Sequence, residues 1–370
     1  MNLYKSKGLK EIINASGRMT ALGVSTPRAA TLEAMASAGQ NFVVLHELMK
    51  YADQEISKFT GAEASCPTAC ASAGIAISVA ASIAKENLLQ IETLPQVLDG
   101  FKDEIVLQKG HAVNFGAPIE TMIRVGGGKP ILAGQANKVA ADHVVTSINK
   151  RTAALFYVKS HHCVQKGMLS VEAMAEIAHA HNLPLIVDAA AEENLSIYRE
   201  AGADMVIYSG SKAIEGPTSG FITGKREWIQ ACHLQYLGIG RAMKIGKENI
   251  MGLLRALADY KEERTAQEIE TMKAWAERLA VELNALPGFK ASVVQDEAGR
   301  AIFRTTAKVD DRVVGISAAD LVARMKKADP AVYIREHYVN TGVLTFDLRS
   351  VKESDLMKIT TVISGCLERK

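Results

Sequence analysis

A chain of 370 residues, 48% of them hydrophobic, has enough apolar mass for one large globular domain and a smaller one. Its 43 basic and 41 acidic residues leave a net charge of +2, too balanced for a protein whose main business is wrapping nucleic acid, and no segment is an uninterrupted apolar run of membrane-helix length. Cys66, Cys70, Cys163, Cys232 and Cys366 are too scattered for a disulfide framework, and no apolar stretch follows the Lys-rich start, so a cytosolic chain with reduced thiols is expected.

Residues 1–30 alternate polar and small groups, with turn formers at Gly17, Gly23 and Pro27, and read as an extended arm carrying Asn14, Ser16, Arg18 and Thr20. Leu32, Met35, Phe42 to Leu48, Ile56 and Phe59 then keep helical spacing over 31–60. The run from Cys66 to Gly74 is small and hydroxyl-rich, and opens an apolar helix from Ile75 to Ile83. Small residues at a helix start let backbone amides approach an anion, so Ala71, Ser72 and Ala73 are candidates for holding a phosphate. Without a P-loop or a GxGxxG pattern, a helix packed tightly through Ala and Ser is the alternative. Cys66 and Cys70, with His161, His162 and Cys163, match no zinc spacing, and no metal is expected.

From Glu104 onward apolar runs at 105–108, 130–132, 153–158, 185–188 and 205–208 alternate with helical segments, one of them through Val171, Met174 and Ile177 behind a Ser170 cap. That alternation predicts an α/β, doubly wound, mainly parallel sheet with ligands at the C-terminal ends of its strands. His111, the pair His161-His162, Asp188 and Lys212 all follow or end such strands. Lys212 alone reads equally as a solvated loop cation. Paired with Asp188 it matches the needs of pyridoxal phosphate: an amine for a Schiff base and a carboxylate that keeps the pyridine nitrogen protonated. Ser209 and Ser211, flanking Gly210, are candidate donors to the cofactor phosphate.

Residues 220–224 read as a returning strand and 228–237 as a helix. The cluster Arg241, Lys244 and Lys247 is either a solvated helix start or a phosphate clamp. A long helix then runs through Ile250, Leu257, Ile269 and Leu279 until Pro287-Gly288 ends it. Strands at 289–294, 301–305, 333–335 and 343–348, with helices at 317–328 and 353–368, make a smaller α+β domain. The expected division is an arm, 1–30, a large domain, 31–247, and a small C-terminal domain, 248–370.

Val187-Asp188, Ser209-Gly210-Ser211-Lys212 and Gly216-Pro217 resemble the fold type I, aspartate aminotransferase-like pyridoxal phosphate enzymes. Residues 13–17 (Ile-Asn-Ala-Ser-Gly), 238–247 and 345–349 resemble, more narrowly, the selenocysteine synthase-like branch, and the likeness spans most of the chain. The resemblance implies a cofactor held by Lys212 and Asp188, with His111 stacked on its ring and moving a proton; a surface histidine is the alternative. It implies that the loop of His161 and His162 borders the cofactor and substrate. An arginine of the small domain then holds the substrate carboxylate, Arg349 being the better match and Arg335 the alternative. Arg241 and Lys244 serve a phosphate, and Asn14 and Arg18 lie on an arm that reaches a neighbouring site in a homodimer or higher homo-oligomer. The implied reaction is elimination of ammonia from a 2-amino-3-hydroxy acid, a phosphorylated amino sugar acid. A transferase acting on seryl-tRNA is the second reading. It calls for a large basic surface and an additional N-terminal domain, whereas this chain is nearly neutral and reaches Asn14 almost at once. A non-catalytic pyridoxal phosphate-binding protein is the third.

Overall fold

The computed structural model describes residues 3–160, 163–261, 266–296 and 301–368. The strands in chain order are β1 (Ile12–Ala15), β2 (Ala64–Thr68), β3 (Glu104–Gln108), β4 (Lys129–Ala133), β5 (Thr152–Val158), β6 (Leu185–Asp188), β7 (Met205–Ser209), β8 (Gly220–Gly224), β9 (Phe289–Gln295), β10 (Phe303–Val309), β11 (Ala331–Ile334) and β12 (Val343–Asp347). The longer helices are α1 (Ala29–Gly39), α2 (Leu45–Thr60), α3 (Ala71–Ala84), α4 (Val171–Ala180), α5 (Arg226–Leu234), α6 (Lys247–Ala258), α7 (Ala266–Asn284), α8 (Ala318–Lys327) and α9 (Glu353–Glu368). The chain divides into two compact units. One runs from Ser25 through α6, and the other joins the residues up to Val24 to everything from α7 onward.

The larger unit is built on a seven-stranded sheet in the order β2-β8-β7-β6-β5-β3-β4. The five strands from β7 to β4 run parallel, while β8 is antiparallel to both β7 and β2. Buried side chains alternate between the faces, as a period of two requires. Leu155, Tyr157, Val187, Val206 and Tyr208 pack with α2, α4 and α6 on one face. Ala154, Phe156, Ile186, Ile207 and Ile222 pack with α3 and α5 on the other. A sheet covered on both faces explains why these strands read as nearly continuous apolar runs. Strand order reverses between β3 and β5, and the crevice at such a reversal is where open α/β sheets bind ligands.

In the smaller unit β9, β10 and β12 form an antiparallel sheet, and β1 pairs in parallel with β11. Leu279 and Leu283 of α7, Leu321 and Met325 of α8, and Ile359 and Ile363 of α9 share its core. The extended arm therefore contributes a strand, with Ile13 and Ala15 buried. The expected long helix is two, α6 packing in the larger unit's core and α7 in the smaller one's. Residues 31–60 likewise form α1 and α2 around a break at 40–44. Strand β2, read in the sequence only as a small, hydroxyl-rich run, lies at the sheet edge, where a proline such as Pro67 is tolerated. Among the described residues no helix is long and apolar enough to cross a membrane, and no group of three or more His, Cys, Asp or Glu is placed to hold a metal ion.

Candidate active site

Asp188 ends β6, flanked in register by Val158 of β5 and Ile207 of β7. Its Oδ1 accepts the Ala190 N–H at 3.1 Å, and the residue is only 7% exposed. Burial pushes its pKa up to about 6, against the opposing pull of the Lys212 ammonium. Two residues beyond Ile207, β7 stops and the chain enters the turn that carries half-buried Lys212. That turn is closed by Gly210 N–H to the Ser219 carbonyl at 2.9 Å and Gly216 N–H to the Gly210 carbonyl at 2.8 Å. Ser25 Oγ donates to the Gly216 carbonyl at 3.1 Å. The buried hydroxyls of Ser209 and Ser211 lie 3.2 Å apart.

Helix α3 begins beside the same strand ends. Cys70 caps it, its Sγ accepting the Ala73 N–H at 3.4 Å, and Thr68 Oγ1 donates to the Cys70 carbonyl at 2.9 Å. A Cβ on Gly220 would lie 2.7 Å from the Ala71 nitrogen and 2.9 Å from the Tyr208 carbonyl oxygen. Glycine at this position thus lets the first amides of α3 lie against the end of β7, bringing Ala71, Ser72 and Ala73 to the segment of Ser209 and Ser211. These residues fit pyridoxal phosphate. The buried carboxylate, whose charge is penalised where it stands, suits a protonated ring nitrogen; the helix start and serine hydroxyls suit a phosphate; Lys212 would supply the amine.

His111 is fully buried in the turn after β3. Its Nδ1 accepts the Val158 N–H at 3.3 Å, and Tyr157 meets its ring edge to face with centroids 4.5 Å apart. Nε2 is buried without a hydrogen-bond partner among the described residues. Burial, reinforced by the Lys159 cation, pushes the imidazole pKa down to about 4. The ring is therefore neutral near pH 7, with its proton on Nε2 because Nδ1 is an acceptor. The Val158 and Tyr157 contacts hold the ring in place at the crevice between β3 and β5. Burial, and next Asp188, push the Cys163 thiol up to about 12, which leaves it unreactive. His161 and His162 lie outside the described residues.

Arg241 and Lys244 are exposed, whereas Lys247 donates to the carbonyls of Gly39 (3.2 Å) and Asn41 at the end of α1. Lys247 is thus a cation at a helix C-terminus.

In the smaller unit three arginines surround Asp347, which is 0% exposed. Arg349 grips it with two bonds, Nε to Oδ1 at 2.9 Å and Nη2 to Oδ2 at 2.8 Å. Arg304 Nε reaches Oδ2 at 3.0 Å while its Nη1 holds Asp296 at 2.8 Å. Arg335 Nη1 stands off at 3.9 Å. Burial alone would raise the Asp347 pKa; the Arg349 and Arg304 guanidiniums override it and hold the carboxyl well below the usual range. Asn14 spends its side chain on its own turn, Oδ1 accepting from Ser16 N–H and Oγ at 3.0 and 2.9 Å and Nδ2 donating to the Gly17 carbonyl at 2.8 Å. Arg18 is half-buried. Asp347 had a signal in sequence, an apolar strand ending in an acid as at Asp188. Arg304 had none, because its partners lie 8 and 43 positions away.

The family model described as SelA, L-seryl-tRNA selenium transferase, matches residues 47–352. The chain is 45% identical to a D-glucosaminate-6-phosphate ammonia lyase of Salmonella typhimurium, over 97% of this chain and 96% of that protein. It is 39% identical to a 5'-C-glycyluridine monooxygenase-decarboxylase of a Streptomyces species, over 94% of this chain and 88% of that one. A solved structure of a D-glucosaminate-6-phosphate ammonia-lyase superposes with a TM-score of 0.94 at 44% identity, covering 100% of this chain and 98% of the other. The chain belongs to the SelA-like family of fold type I, pyridoxal phosphate-dependent enzymes, and stands with its ammonia-lyase members.

Proposed function

We propose that this protein removes ammonia from D-glucosaminate 6-phosphate to give 2-keto-3-deoxy-6-phosphogluconate. The observation that carries the reading is the 45% identity to the Salmonella lyase, which extends over 97% of the chain. The geometry around Asp188 and Lys212 supports the chemistry. Bound pyridoxal phosphate supplies an electron sink for the pair left when the substrate Cα–H bond breaks. Asp188 keeps positive charge on the ring nitrogen, while the α3 amides with Ser209 and Ser211 hold the phosphate. The Lys212 amine takes the proton from Cα and is the first candidate to return one. The β-hydroxyl leaves as water, the dehydrated product rearranges, and hydrolysis releases ammonia. Water lost at Cβ is regained in that last step, so the net products are the keto acid and ammonia.

The test is release of ammonia and 2-keto acid by the purified protein from D-glucosaminate 6-phosphate. Release from a different 2-amino-3-hydroxy acid instead overturns the substrate and keeps the chemistry. Tight, salt-sensitive binding of seryl-tRNA favours the transferase. Oxygen-dependent release of CO2 favours the chemistry of the Streptomyces relative. The same reading places the protein in the cytoplasm as a homo-oligomer. The apolar run Phe42 to Leu45, with Phe42 fully exposed, supports a further chain packing there. Light scattering of a single-chain species contradicts the oligomer.

A further inference from the structure

Asp188 is followed by a loop, residues 189–196, that is bonded along its length. Ala189 N–H donates to the Ile207 carbonyl at 2.9 Å, and Glu192 N–H turns back to the Ala189 carbonyl at 3.0 Å. Ala190 is the hub. Its N–H lies on Asp188 Oδ1 at 3.1 Å, and its carbonyl accepts the Ser209 N–H at 3.2 Å. One residue is thus bonded both to the carboxylate that suits the cofactor's ring nitrogen and to a serine that suits its phosphate. Any rotation of the backbone at Ala190 would disturb both.

Beyond Ala190 the loop is held by three tyrosines. Tyr198, in the short helix Ile197–Glu200, donates its hydroxyl to Glu192 Oε2 at 2.8 Å. Tyr260, just past the end of α6, donates to the Glu193 carbonyl. Tyr208 of β7 donates to the Asn194 carbonyl at 3.0 Å. Three consecutive residues are therefore each held by a phenol from a different element, all of them within the larger unit. Tyr208 is 1% exposed and stacks on Phe221 with centroids 5.4 Å apart, and Tyr198 is buried too. A phenol packed in this way is a stiff rod with an apolar body and a polar tip, so its hydroxyl is delivered to a fixed place. Burial, and next the Glu192 carboxylate, push the Tyr198 hydroxyl well above the ordinary phenol range, and it stays a donor. On the far side Asn194 Oδ1 accepts the N–H groups of Ser196 at 2.9 Å and Ile197 at 2.8 Å. Connecting loops are commonly the mobile parts of a domain, and these bonds oppose that motion directly behind Asp188.

We propose that Tyr198, Tyr208 and Tyr260 are positioning residues for the cofactor: by clamping Glu192, Glu193 and Asn194 they hold Ala190 with its N–H on Asp188 and its carbonyl on Ser209. They act through Asp188 and not by touching the cofactor. The inference rests on the reading that Asp188 serves the ring nitrogen, and it is independent of which amino acid is the substrate.

The test measures the dissociation constant of pyridoxal phosphate from the protein by fluorescence titration. Tyr198→Phe, Tyr208→Phe and Tyr260→Phe are each made alone and together with Asp188→Asn. Each hydroxyl deletion is expected to weaken binding by about threefold or more, the scale of a lost side-chain hydrogen bond. Beside Asp188→Asn the same deletions should change binding by less than about twofold, because members of one network do not contribute additively. Nitrogen NMR of ring-labelled cofactor adds a signature that a merely structural loss leaves unmoved: the ring nitrogen, protonated in wild type, shifts toward its neutral position in Tyr198→Phe and Tyr260→Phe. Where Tyr208→Phe does not fold, because it alters a central strand, the other two variants carry the test. Unchanged dissociation constants, equal weakening with and without Asp188→Asn, or an unshifted nitrogen signal each overturns the proposal. If Asp188→Asn alone binds the cofactor as tightly as wild type and keeps the ring nitrogen protonated, the reading of Asp188 itself fails, and the clamp's role with it.

Discussion

Burial keeps the Asp188 carboxyl at a pKa of about 6 although the Lys212 ammonium pulls it down. The folded cofactor-free protein therefore holds this proton more tightly than an unfolded chain, whose value is near 3.8. Its contribution to stability is fully present below that value and is lost as pH rises through about 6. Two pH units correspond to about 3 kcal/mol. Thermal melts of cofactor-free protein between pH 4 and 6 should show wild type losing stability relative to Asp188→Asn as pH rises; a constant gap contradicts the burial argument. Bound cofactor, by placing a positive ring nitrogen beside the carboxylate, should flatten the difference. His111 has the opposite sign. With its folded pKa near 4, its contribution is present above the ordinary value of 6.5 and lost as pH falls toward 4. Between pH 5 and 8 it does not change charge, so His111→Gln should alter the height of the kcat/KM profile and leave its shape; disappearance of a limb near pH 6.5 would show that the ring titrates after all. At Lys212 the expectation is loss of the visible absorbance band of the lysine-bound cofactor in Lys212→Ala, and an unchanged band would falsify the assignment.

Among the elements, α3 and the β7–Lys212 turn were legible because both are local in sequence: a small-residue helix start, and an apolar run broken by Gly210. Their meeting was not, since it depends on Gly220, which reads only as part of a strand. Gly220→Ala forces a Cβ to 2.7 Å from the Ala71 nitrogen. The overpacking should cost about 1–3 kcal/mol and lower cofactor affinity by an order of magnitude or more; an unchanged dissociation constant for pyridoxal phosphate contradicts the role given to that contact. Periodicity misled where it ran on through element ends. Apolar spacing continues across the break between α1 and α2, and from α6 to α7, although α1 closes with Lys247 on its last carbonyls and α6 with the Arg255–Asp259 pair at 2.9 Å. Chain termination of this kind is made by partners distant in sequence, or by side chains whose helical positions look equally suited to continuing.

Across the whole molecule, the part of the site on the strand ends of the larger unit was readable because a parallel sheet gathers residues from the ends of successive apolar runs. That rule brings Asp188, ending β6, beside the strand that leads to Lys212. The arginine assembly of the smaller unit needed β10, β12 and the N-terminal strand to be placed first, and the sequence reading treated that strand as an arm. In that strand Asn14 donates to the Gly17 carbonyl, and Gly17 lies against Asp347 and Arg349. The most direct test of the proposed reaction is stoichiometric. D-glucosaminate 6-phosphate given to the cofactor-loaded wild type should yield ammonia and 2-keto acid in equal amounts without oxygen uptake, and the Lys212→Ala variant should yield neither. Keto acid formed only with oxygen consumption, or ammonia released as fast by the Lys212→Ala protein, would contradict it.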